Sequence, residues 1–345
     1  MDVGLSAEQH QLVDSFTSLF SGASPPSRVR EAEPLGFDAS LWGTARSAGV
    51  LPMAVGEDAG GWGARLLDLA LVAELQGRFL APAPIIEAQA AARLLARLGT
   101  PPASAALAAA LAGERTVTVA FLPARGGVAR LVPAGAVADG AVVLNGDRLL
   151  LVQGCGARAA NLGSLPLADL PIGPDADVLA TGPEAVAAHE AAQDEFLLLT
   201  AAAQVGIAAR ALEIGVGYVK ERTAWNVPIG SFQAVAHTLA DVAAAVDGAR
   251  LLAYEAAWAA TEEPERFAEL AALAFGFAAE TARDATYHSL HFHGGYGFTD
   301  EYDVQLYYRR ARAWAGVCLE PRAAYRRAAD RRYGPAQMEE QWTSA

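Results

Sequence analysis

Arg222-Thr-Ala-Trp225-Asn-Val-Pro228-Ile-Gly-Ser-Phe232-Gln233-Ala-Val-Ala-His237-Thr-Leu-Ala-Asp241 is the stretch whose reading decides the fold. It lies between two long Ala/Leu-rich segments with helical stripes, so Arg222 falls at the end of one helix and Gln233 near the start of the next. Asn226-Val-Pro228 marks the break between them. An arginine there can grip a pyrophosphate through bidentate, charge-assisted bonds, and an aromatic three residues on can pack on a flat ring. Either residue also has a plainer use, as a helix C-terminal cation or a core aromatic.

A second stretch, His291-Phe-His293-Gly294-Gly295-Tyr-Gly297-Phe-Thr-Asp-Glu301-Tyr302, ends another helical segment. Paired glycines let backbone come close to a ligand because no Cβ intervenes, though they also stop helices. From Thr181-Gly-Pro-Glu184, which reads as a capping box, to about Arg332 the pattern predicts four long helices in an antiparallel bundle, broken near Asn226, Pro264 and Gly294.

Upstream the period changes. Thr116–Leu122, Leu131-Val132, Ala141–Leu144 and Leu149–Val152 are short β-prone runs separated by turn residues such as Asn145-Gly-Asp147, and predict a small antiparallel β unit ending near Leu179. Before Gly113 the chain again reads as helices. Ser6-Ala-Glu-Gln9 is a capping box ahead of the stripe Leu12, Val13, Phe16, Leu19, Phe20, and further helices are expected around 41–48, 66–80, 85–98 and 103–112. The domain boundaries that follow are 1–113 all-α, 114–180 β and 181–345 helical bundle.

Composition narrows the function. The 345 residues are 53% hydrophobic and 19% charged, which excludes disorder, and two cysteines exclude a disulfide scaffold and suit a reducing compartment. A net charge of −13 argues against nucleic acid as the main partner. Eight arginines between Arg309 and Arg332 read first as a solvated helix face and second as a contact for anions. The start carries no leader-like pattern and the apolar run Phe196–Ile207 is too short to span a bilayer, so a cytoplasmic protein without a membrane partner is expected. No Cys/His cluster suggests a metal site.

Together with Gly60-Gly-Trp-Gly63 and the helix bearing Asp68, the two quoted stretches resemble the acyl-CoA dehydrogenase family, and the resemblance runs over nearly the whole chain in domain order. It implies an α+β fold: N-terminal helical domain, middle β domain, C-terminal four-helix bundle. It implies FAD as cofactor, touched by Arg222, Trp225, Gln233, His291, Gly294 and Gly295 where the flavin is held mainly by a neighbouring subunit. It implies an acyl-CoA substrate, an electron-transfer flavoprotein or other acceptor, and a role in lipid β-oxidation. Two departures are minor: Asn226 stands where the family usually has Gly, and His291 where it usually has Gln. His237 and His293 match.

Two departures are larger. The strand and loop Val117–Gly127 lack the family's Thr-Glu-Pro-x-Ala-Gly-Ser-type flavin loop. The reaction also needs a carboxylate base of raised pKa, with donors for the enolate-like charge. One family position for that Glu falls on Cys318, with Glu320 two residues on; the other falls on Phe196, with Glu195 adjacent. For Glu320 and Glu195 the plain expectation is a surface charge. The reading that follows is a base-lacking subunit of a heteromeric acyl-CoA dehydrogenase, a heterotetramer of the kind known in actinobacteria, with the Glu supplied by a related chain. The alternatives are a homo-oligomeric enzyme using Glu320 or Glu195, and a structural or assembly protein that kept only the fold.

Overall fold

The computed structural model describes residues 4–334. Helix α1 (Ala7–Ala23) opens on the expected reciprocal cap: the Gln9 amide donates to Ser6 Oγ at 3.2 Å and the Ser6 amide to Gln9 Oε1 at 3.0 Å. Its stripe delivers Phe16 and Phe20 to the core. Helices α2 (Pro26–Glu31), α3 (Ala39–Ser47), α4 (Leu66–Arg78), α5 (Ile85–Leu98) and α6 (Pro101–Leu111) complete the N-terminal layer.

Six strands follow: β1 (Val117–Ala120), β2 (Val128–Val132), β3 (Gly140–Asn145), β4 (Arg148–Gln153), β5 (Ala168–Pro171) and β6 (Asp177–Thr181). They form a four-stranded sheet of order β1-β3-β4-β6 and a separate antiparallel pair β2-β5. The sheet is mixed rather than antiparallel throughout, because β1 pairs with β3 in parallel. The chain leaves β1 for the second sheet and re-enters beside it in the same direction, a crossover that periodicity alone does not reveal. β3 and β4 turn through Gly146 at φ 65°, as a two-residue hairpin with glycine first requires. All residues of β3 up to Leu144 are buried, so both faces are covered and its sequence reads as a continuous apolar run.

The C-terminal layer has three long helices and two short ones, not four long ones. They are α7 (Pro183–Glu221), α8 (Gln233–Glu262), α9 (Pro264–Phe292), α10 (Val304–Ala315) and α11 (Pro321–Tyr333). Pro264 and Pro321 each sit in a first turn, where a missing N–H costs nothing. The expected capping box at the start of α7 is absent: Thr181 ends β6, and Gly182 occupies the cap with no side-chain bond. At 39 residues α7 is long and apolar enough to cross a membrane, but 78% of its most apolar window is buried inside the fold.

One hydrophobic cluster runs from Phe16 through the sheet to Ala324, so the layers share a core. Two glycines let α4 and α7 touch backbone to backbone. A Cβ on Gly206 would lie 1.9 Å from the Glu74 carbonyl oxygen, and one on Gly77 would lie 1.9 Å from that of Ala203. Neither obstacle is a flexible side chain, so Gly206→Val must part the helices. It is expected to cost about 3 kcal/mol or more, read as a fall in the urea midpoint at unchanged m-value; an unchanged midpoint would refute this packing.

Candidate functional site

Arg222 is the residue on which α7 ends. Its N–H still donates to the Tyr218 carbonyl at 2.8 Å, while its own φ, ψ of −68°, 122° turn the chain outward. A hairpin follows, β7 (Thr223–Ala224) and β8 (Val227–Pro228), closed by the Ile229 amide on the Arg222 carbonyl at 2.8 Å. The turn residues Trp225 and Asn226 have φ of 49° and 62°, the left-handed pair of a type I′ turn. Asn226 tolerates that backbone, which accounts for its presence in place of Gly. Trp225 does not tolerate it well, and it is 87% exposed, its ring meeting that of Phe232 edge to face at 5.8 Å. Backbone strain is thus used to hold an indole out in solvent. Gln233, the first residue of α8, is also exposed.

The end of α9 lies beside the end of α7. The His293 ring stacks on Tyr218 at 4.1 Å, and Tyr302 meets both edge-on. His293 is buried and donates from Nδ1 to the Ser289 carbonyl at 2.7 Å; burial holds its pKa below the ordinary value despite that bond. It is a structural histidine. His291 is exposed and lies parallel to Tyr287. Gly294 at φ 59° and Gly295 are exposed, and a Cβ on either would touch nothing within 4 Å. Packing inside the chain therefore does not explain Gly295. Gly297 differs, since a Cβ there would press on the Leu290 carbonyl at 2.5 Å.

Arg222, Trp225, Gln233, His291, Gly294 and Gly295 thus gather at one end of the bundle, all facing solvent. Arg222 is paired with no acid among the described residues. The arginine run divides: Arg322, Arg326, Arg331 and Arg332 are exposed, as a solvated face requires, whereas Arg309, Arg310 and Arg327 turn inward to acids. Arg309 and Arg310 both bind Glu33, Arg327 binds Asp194 at 2.6 Å, Arg331 reaches Glu190 and Asp194, and Arg332 reaches Glu269. Arg310 is buried, which pushes its pKa down to about 10. These arginines clamp α10 and α11 to the rest of the fold.

The positions considered for a base lie elsewhere. Cys318 is buried, its thiol pushed up to about 12 by burial, and it accepts a bond from Gln193 Nε2 at 3.4 Å. Glu320 is exposed and serves as the cap residue of α11 without a side-chain bond. Glu195 is not the expected surface charge: it is 4% exposed. It accepts from Arg93 Nε at 2.9 Å, from Arg93 Nη2 at 2.8 Å and from Arg97 Nη2 at 2.6 Å. Burial opposes its charge, but the bonds and charge of the two arginines prevail and hold it below the usual carboxylate range. A carboxylate so occupied is a poor proton acceptor.

Phe196 stacks on Phe121 at 4.0 Å and lines a cavity of about 50 Å³ between the α4–α5 connection, the Leu165-Pro166 loop, α7 and the end of α10. Glu87, in the first turn of α5, is the titratable side chain on its wall, and burial raises its pKa to about 7. Sequence reasoning missed it. The only signal is an acid after Pro84-Ile85-Ile86, and acids are commonplace in a helix's first turn.

Comparison with known proteins adds the following. The family model described as acyl-CoA dehydrogenase, N-terminal domain, matches residues 6–114, and that described as acyl-CoA dehydrogenase, C-terminal domain, matches residues 196–315. The chain is 31% identical over 326 residues to acyl-CoA dehydrogenase IpdE2 of Mycolicibacterium smegmatis, covering 94% of this chain and 98% of that one. Among solved structures it resembles the ChsE4–ChsE5 complex from Mycobacterium tuberculosis, with TM-score 0.88 and 27% identity over 97% of this chain and 100% of that one. It also resembles a variant of the Tcur3481–Tcur3483 steroid ACAD, with TM-score 0.84 and 27% identity over 94% and 97% of the two chains.

Proposed function

The chain belongs to the acyl-CoA dehydrogenase family, and from that premise we propose that it is one subunit of a heteromeric, FAD-dependent acyl-CoA dehydrogenase whose catalytic glutamate comes from a related partner chain. Members of this family are oxidoreductases acting on CH–CH groups. The observation that carries the reading is the contrast between the two halves of the site. Cys318 and Phe196 offer no carboxylate, Glu195 is locked between two arginines, and Glu320 is an exposed cap. The bundle end, in contrast, presents an exposed guanidinium, an exposed indole and an open glycine backbone to a ligand.

The residues there fit FAD by their chemistry. Arg222 is a guanidinium with no acid partner among the described residues, available for the pyrophosphate; Trp225 offers an exposed indole face for a ring, Gln233 and His291 are hydrogen-bonding side chains at the rim, and Gly294 and Gly295 give an open backbone. When bound, FAD supplies the hydride acceptor for α,β-dehydrogenation of an acyl thioester. With the cofactor held by Arg222 and the open bundle end, the partner's glutamate would be the group that accepts the α-proton of the thioester, and an electron-transfer flavoprotein or another acceptor would be the redox partner of the assembled enzyme. The relatives titled as two-chain assemblies, ChsE4–ChsE5 and Tcur3481–Tcur3483, support the heteromeric form.

Co-expression tests the proposal. The chain purified alone is expected to be nearly colourless and inactive. Co-expressed with a related chain carrying the glutamate, it should form a yellow complex that an acyl-CoA bleaches. Arg222→Ala should lower flavin occupancy of that complex about tenfold, since a charge-assisted bond contributes about 1.5–3 kcal/mol, while the two chains still co-elute. A lone chain that is yellow and bleached by substrate would favour the homo-oligomeric enzyme instead.

A further inference from the structure

A second cavity, of about 260 Å³, lies at the seam where the N-terminal layer meets the bundle, between the α1–α2 connection, the end of α4, α7 and the start of α10. Part of its wall is apolar: Val29, Leu80 and Leu306 line it and each is 1% exposed. Leu80 sits there at φ 48°, in the left-handed backbone on which a helix usually ends with glycine. A side chain is disfavoured in that conformation, and strain of this kind collects around ligand sites. The rest of the wall is cationic. Arg78 and Arg210 line the cavity with side chains 32% and 44% exposed. They share one acid. Arg78 donates from both terminal nitrogens to the two oxygens of Glu213 at 2.8 Å, and Arg210 adds a bond at 3.0 Å. Burial opposes the charge of Glu213, but the arginines prevail and hold its pKa below the ordinary value. The trio therefore carries one excess positive charge at neutral pH.

A guanidinium has five N–H donors, so the three bonds to Glu213 leave most of the pair's donors unspent. The Arg210 guanidinium also lies against the hydroxyl of Tyr307, itself a residue of the cavity wall. Two carbonyl oxygens that would repel an anion here are covered: Tyr307 donates to that of Arg78 at 2.9 Å and Ser24 Oγ to that of Phe79 at 3.2 Å. Burial pushes the Tyr307 hydroxyl up to about 12, so it adds no negative charge. These features select a ligand. One excess charge matches a monoanion, and the planar fork of arginine matches a carboxylate. The apolar wall rewards a hydrocarbon body and offers nothing to a bare inorganic ion. We propose that this cavity binds a compact organic monocarboxylate, its anionic head at Arg78 and Arg210 and its apolar body on Val29, Leu80 and Leu306. The site shares no residue with the bundle end that faces the flavin, so it stands apart from the heteromer reading.

Titration calorimetry on the full chain tests this with benzoate, benzyl alcohol and inorganic phosphate as probes. Benzoate is expected to bind saturably, about tenfold or more tighter than benzyl alcohol, which lacks the charge, and than phosphate, which lacks the apolar body. Arg210→Met should weaken benzoate about tenfold. Glu213→Gln should act with the opposite sign and strengthen it several-fold, because the excess charge rises from one to two. A cluster that only ties α4 to α7 predicts no gain of affinity from that change. Circular dichroism melts establish that each variant folds; should Arg210→Met not fold, Glu213→Gln carries the comparison. The site is overturned by any of four results: no saturable binding of benzoate, equal binding of either other probe, a benzoate affinity that a folded Arg210→Met leaves alone, or one that Glu213→Gln leaves alone or lowers.

Discussion

Arg93→Met is expected to remove about 3 kcal/mol of stability, the lower end of what is lost when one member of a buried ion pair is deleted. Glu195 is almost wholly buried in the first half of α7, and Arg93 grips both of its oxygens from α5 while also donating to the Ala54 carbonyl at 2.9 Å. Without Arg93 the carboxylate keeps only Arg97, whose side chain is 35% exposed and bonds one oxygen. Glu195→Gln should cost less, because both arginines can turn toward water. The pH dependence has a fixed sign. A carboxyl held below its ordinary pKa contributes stability that is complete above the unfolded value and is lost as pH falls through the folded one, so both variants should approach the parent in acid. Urea unfolding at pH 7 and pH 3 measures this. The same pair of variants separates structure from chemistry: if Glu195 were the base, Glu195→Gln would abolish turnover of the assembled enzyme with its stability nearly intact.

The features legible in the sequence are those fixed by neighbours along the chain. The Ser6–Gln9 cap, the extent of α5, the break at Pro264 and the left-handed Asn226 all depend on residues within four or five positions. What could not be read depends on partners far away. Glu195 looks like a surface acid until Arg93 and Arg97 arrive from 102 and 98 residues upstream. The arginines of α10 look solvated until Glu33, 276 and 277 residues away, is placed against them. Parallel pairing of β1 with β3 needs the path of the intervening chain. Trp225 is the instructive intermediate. Its identity suggested a ring contact, but only the structure shows a strained backbone holding it clear of its own core.

Glu87→Gln should be neutral in acid and stabilising at alkaline pH, the reverse of the usual loss on replacing a buried charged residue. As pH rises past 4.5 the unfolded chain releases the proton, while burial keeps it on the native carboxyl until about pH 7. Over that window the unfolded state is favoured at about 1.36 kcal/mol per pH unit, so the parent loses about 3 kcal/mol by pH 8 and no more beyond. Glutamine has no proton to release and escapes the loss. One effect opposes this: an ionised Glu87 in the first turn of α5 would interact favourably with the helix dipole, by about 0.3–1 kcal/mol, which is too small to change the sign. The quantity to measure is the difference in unfolding free energy between variant and parent at pH 4.5 and pH 8, since groups common to both cancel. A difference that stays flat would mean that the native carboxyl is as well solvated as the unfolded one. In that case Glu87 would have hydrogen-bond partners in solution that the protein alone does not supply.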